Sequence, residues 1–119
     1  MINKFEINKH IWNIELRPES NLIEEYQKRI NGTAYGCFGL TFYKEHKIWI
    51  AKELCIEERF RTLRHELTHC YIWESGLYHC DYNDEEIVCD IVASTYNFIN
   101  EVINNEKSIE CLLIGEDNE

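Results

Sequence analysis

Apolar positions change period twice in the first third of the chain. From His10 to Leu16 they alternate, with Trp12, Ile14 and Leu16 on one side, which predicts a strand closed by Arg17-Pro18. From Glu19 to Asn31 the spacing becomes helical. Leu22, Ile23, Tyr26 and Ile30 share a face there, and Gly32 is the natural stop. Tyr35 to Tyr43 is aromatic and β-rich, with Gly36 and Gly39 marking a bulge or a close backbone approach. Lys44-Glu45-His46 then turns the chain into Lys47–Ala51, predicting a hairpin.

The longest helical signal runs from about Glu57 to Glu74. It lacks Pro and Gly, opens with two acids and stops at Ser75-Gly76. Ile56, Phe60, Leu63, Leu67, Cys70 and Tyr71 fall on one face, with His65 and His69 almost opposite, flanked by Ile72 and Trp73. A second helix is predicted from Asn83, its apolar face formed by Ile87, Val88, Ile91, Thr95, Ile99 and Val102. Ser108 to Ile114 adds a short strand or docks as a tail, and Gly115 to Glu119 frays. The order β-α-β-β-α-α predicts a single α+β domain over 1–119, with a small sheet on one side of the long helix and the second helix on the other.

His65-Glu66-Leu67-Thr68-His69 carries the chemistry. Residues four apart share a helix face, so His65 and His69 can hold one Zn²⁺ between two imidazoles. Glu66, beside them, is placed to take a proton from the attacking water. A metzincin would place Gly three residues and His six residues after the second zinc histidine. Those places hold Ile72 and Ser75, and the one methionine is Met1, so that family is excluded.

A third ligand must come from elsewhere. Glu86 and Asp90 are four apart on the second predicted helix, so Glu86 can ligate while Asp90 accepts a hydrogen bond from a zinc-bound histidine. Glu85, nearer the apolar margin, and His79, in the preceding loop, are the rival ligands. Asn83 with Glu86 also reads as a capping box, in which Glu86 would only satisfy the helix start.

His65-Glu66-x-x-His69 followed by Glu86-x-x-x-Asp90, Ala93 and Thr95 resembles the gluzincin pattern of thermolysin-type metallopeptidases. The short gap between motifs is more similar to the minimal zincin domains of the ImmA/IrrE group, common in prophages and mobile elements. The resemblance spans roughly Lys47 to Phe98. It implies a zincin-like fold and a zinc-dependent endopeptidase with one Zn²⁺ per chain, acting on a protein or peptide such as a repressor, or on itself. By the same analogy Lys47–Ala51 takes the place of the edge strand that holds substrate, with an ordinary inner strand as the other reading. Tyr78, His79, Tyr82 and Tyr96 are candidates for stabilising the oxyanion. The alternative function is a zinc-binding regulatory protein of this fold with little activity. A general base beside both histidines argues against it.

Composition narrows the setting. A formal charge of −10 disfavours nucleic acid and anionic membranes as partners. No apolar run is long enough to span a bilayer and no leader pattern opens the chain, which predicts a cytoplasmic protein. Its six cysteines contain no Cys-x-x-Cys pair and are expected to be reduced. A Cys70–His69 nucleophile is disfavoured because helix neighbours point about 100° apart. His79-Cys80 is a weak candidate for a second metal site, and His10 and His46 read as surface residues.

Overall fold

The computed structural model describes residues 3–76, 95–104 and 107–115. Strands β1 (Asn3–Ile7) and β2 (His10–Arg17) form an antiparallel hairpin. Its two-residue turn puts Asn8 and Lys9 at φ 53° and 67°, the left-handed pair that matches strand twist. Helix α1 (Glu19–Ile30) follows Pro18 and ends on Asn31 at φ 51°, so the left-handed stop is Asn31, one residue before the expected Gly32. Strands β3 (Gly39–Phe42) and β4 (Lys47–Ala51) make the second hairpin, and β4 lies parallel to β2. The sheet order is β1-β2-β4-β3.

Helix α2 (Ile56–Glu74) starts with Glu57 and Glu58 in its first turn, where acids favour the helix dipole. It ends through Gly76 at φ 75°, whose N–H reaches the Trp73 carbonyl. Residues 95–104 are helical (α3), and α4 spans Lys107–Ile114. The result is a small α+β domain with a mixed four-stranded sheet. Among the described residues, no helix is long and apolar enough to cross a membrane.

Strand alternation sends each sheet face to a different partner. Phe5, Trp12, Ile14, Ile48 and Ile50 pack with Leu63, Leu67 and Cys70 of α2, Ile99, Val102 and Ile103 of α3, and Ile109 and Leu113 of α4. Leu40, Phe42 and Ala51 face the other way, against Leu22 of α1. Arg59 links three elements, its guanidinium donating to the Leu113 and Lys52 carbonyls.

Three expectations change. A strand, β1, precedes the first predicted one. Lys107–Ile114 is a helix and not a strand, and it docks on the core through Ile109 and Leu113, four apart. Strand β4 is internal, because the β2–β4 parallel ladder covers the side that an edge strand would leave open; among the described residues the edge beside α2 is β3. Leu67 is fully buried behind the histidine pair. Leu67→Ala should cost about 2–5 kcal/mol of unfolding free energy, read from urea denaturation monitored by circular dichroism.

Candidate metal centre

Helix α2 presents His65 and His69 on the same face, His65 exposed and His69 half-buried. Their Nε2 atoms lie 3.2 Å apart. Two nitrogens each about 2.0–2.1 Å from a tetrahedral zinc would stand roughly 3.3 Å apart, so the pair fits one ion. Burial pulls the His69 imidazole below its ordinary range. The Glu66 carboxylate opposes that shift and the His65 ring adds to it. A neutral imidazole is the form a metal needs. Tyr43 stands edge-on to the His69 ring, with centroids 6.5 Å apart, and also lies against Trp73 at 5.0 Å.

Glu66 is turned towards β3. It is 6% exposed, and Thr41 Oγ1 donates to its Oε1 at 2.7 Å. Gly39, next to Thr41 on the same sheet face, lets the strand approach. A Cβ there would meet Thr62 Cγ2 at 2.6 Å and Glu66 Oε2 at 3.0 Å. The buried side of α2 therefore includes Thr62 and Glu66 beside Leu63, Leu67 and Cys70, while Ile56 is exposed. A wheel of apolar residues alone points the helix too far towards Ile56.

A cavity of about 560 Å³ opens between the Gly36–Gly39 segment and the α2 residues Arg61, Thr62, His65 and Glu66. Burial, and then the Glu66 carboxylate, push the Cys37 thiol in its wall above its usual range. The Cys37 Sγ–H donates to the Gly39 carbonyl at 3.5 Å. Cys70 is buried and its thiol is raised still further by desolvation, which makes it a poor nucleophile. Cys37, Cys55, Cys70 and Cys111 are all free thiols.

The structure thus brings together His65, Glu66 and His69 of the expected site. Glu86, Asp90, the rivals Glu85 and His79, His79-Cys80, and the oxyanion candidates Tyr78 and Tyr82 lie outside the described residues. Tyr96 is described and is 65% exposed. Thr41 and the Gly36–Gly39 wall add to the site beyond the motif. Thr41 was traceable, since alternation in Gly39-Leu40-Thr41-Phe42 puts a hydroxyl on the face opposite Leu40 and Phe42. Comparisons with family models, curated proteins and solved structures returned no match.

Thr41→Val should remove the hydroxyl from a buried carboxylate oxygen and lower stability at neutral pH by about 1–3 kcal/mol. Thr41→Ser should keep most of it. Equal stability of the valine and serine variants in urea titration would show that the hydrogen bond carries no weight.

Proposed function

We propose that this domain is a zinc-dependent endopeptidase of the minimal gluzincin type, similar to the ImmA/IrrE group. The observation that carries the reading is the pairing of two converging imidazole nitrogens with a buried, hydrogen-bonded carboxylate one residue along, at the wall of an open cavity. A purely structural metal site needs no general base beside its ligands.

In this reading His65 and His69 hold the ion, Glu86 completes the ligand set, with Glu85 and His79 as rivals, and Asp90 orients a histidine. Bound zinc would supply Lewis-acid polarisation of the scissile carbonyl and make water acidic enough to attack. Glu66 takes the proton from the attacking water and delivers it to the leaving amine. Thr41 holds Oε1, which fixes the carboxylate plane and leaves Oε2 beside Gly39. The substrate backbone runs along the outer edge of β3, adding a strand there, and one of its side chains enters the cavity between Phe38 and Arg61.

Replacing His65 or His69 by Ala should remove one equivalent of zinc per chain, measured by mass spectrometry after dialysis. Glu66→Gln separates catalysis from binding. It keeps the size of the side chain and leaves both histidines, so zinc content should stay at the native level. Cleavage of candidate protein substrates should fall by at least about 10²-fold, with a chelator control for contaminating proteases. Undiminished cleavage by the Gln variant would end the peptidase reading.

A further inference from the structure

The end of α2 away from the Arg61 cavity carries a second cluster of ligand-type side chains. His10 opens β2, His46 ends the β3–β4 turn, and Glu74 is the last residue of α2. Three elements distant in sequence thus deliver two imidazoles and a carboxylate to one place. His10 Nδ1 lies 2.8 and 2.9 Å from the two Glu74 oxygens, and Trp12 Nε1 donates to Glu74 Oε2 at 2.8 Å. The His46 ring lies nearly parallel to His10, with centroids 4.7 Å apart, and 5.0 Å from Trp12. One donor atom from each of His10, His46 and Glu74 falls within 4.8 Å of the other two.

Electrostatics points the same way. The Glu74 side chain is only 4% exposed, so its charge has lost most of its water. Among the described residues no Lys or Arg pairs with it; its side-chain partners are a neutral indole and one imidazole. A buried carboxylate needs positive charge at short range. A divalent ion shared by the two imidazoles and the carboxylate would supply that charge.

We infer that His10, His46 and Glu74 form a second, structural site for a borderline divalent ion of the zinc, nickel or copper class. It would pin the C-terminal end of α2 to the sheet. The ligand set of two imidazoles and one carboxylate suits these ions better than calcium or magnesium, which prefer all-oxygen cages. Trp12 orients the carboxylate from behind, as partners of metal-bound carboxylates do. His46 is held at φ 55° while its carbonyl accepts the Asn13 N–H at 3.0 Å, so the backbone is anchored and the ring alone has to move. Ligation needs the donors to close to roughly 3.3 Å. The His10 side chain, half exposed, and the ring of His46 at the turn have room to swing inward. This site does not depend on the peptidase reading.

The test is metal content of the full chain, stripped with chelator and dialysed against Zn²⁺ or Ni²⁺. The native protein should hold two equivalents. His65→Ala/His69→Ala should keep one, and adding His46→Asn should remove it; Asn tolerates the left-handed backbone at this position. Zn²⁺ should also raise the thermal midpoint of the double variant, and that rise should vanish in the triple variant. A double variant that binds no metal, or binding unchanged by His46→Asn, would overturn the site. Should the double variant fail to fold, His46→Asn and His10→Gln in the otherwise native chain decide the matter. Each should lower metal content by one equivalent, and unchanged content would sink the proposal. Equal metal content in the native chain and the His65→Ala/His69→Ala variant would instead count against the His65/His69 centre.

Discussion

Glu66 could not sit where it does if Gly39 carried a side chain. A Cβ at that position would strike Thr62 Cγ2 and crowd the carboxylate, so these side chains or the helix that carries them would have to shift. With the strand this close, the Thr41 hydroxyl reaches Oε1, and a charged side chain becomes tolerable in the sheet–helix interface. The roll of α2 then sets everything else. Leu63, Leu67 and Cys70 meet the core, while His65 and His69 are left on the free side with their nitrogens converging. The polar contact and the apolar packing hold the same rotation, and neither alone would orient both histidines.

Two ends of α2 are fastened by different chemistry. Near its start, Arg59 reaches backbone carbonyls on both sides, tying the helix to Lys52 and to the last turn of α4. At its finish, Glu74 is gripped by His10 and Trp12 of β2. The imidazole pair lies between these anchors, with Tyr43 edge-on to His69 and Trp73 against Tyr43. A helix fixed at both ends can hold two ligands at a constant separation, the requirement for a site built on a rigid element.

Much of this could be read from the residue pattern, and the failures share a cause. The ends of β2, α1, β4 and α2 follow from alternation, helical spacing, Pro18 and Gly76, all of them local signals. The convergence of His65 and His69 is equally local, since a four-residue step fixes it. What stayed hidden depends on which strands meet. Lys47–Ala51 looks like an edge or an inner strand until its parallel pairing with β2 is known. Glu66 reads as the general base from its place beside the histidines, but its burial with Thr62 against β3 depends on a strand distant in sequence. His10 and His46 look like surface residues because their partner, Glu74, arrives from the far end of another helix. Strand β1 was too short and too near the terminus for Phe5 and Ile7 to stand out, although both alternate correctly with Lys4 and Glu6.

The strand order β1-β2-β4-β3 is two hairpins laid side by side, joined only where residues 13–17 run parallel to residues 47–51. Each hairpin closes through a short turn, so each can form early and cheaply. The ladder between them cannot, because α1 and the whole of β3 must be looped out before its first hydrogen bond is made. That central seam is therefore the expensive step in assembling the sheet. His65 and His69 take their spacing from α2 alone, whereas the Thr41–Glu66 contact, like that seam, waits on segments distant in sequence to meet.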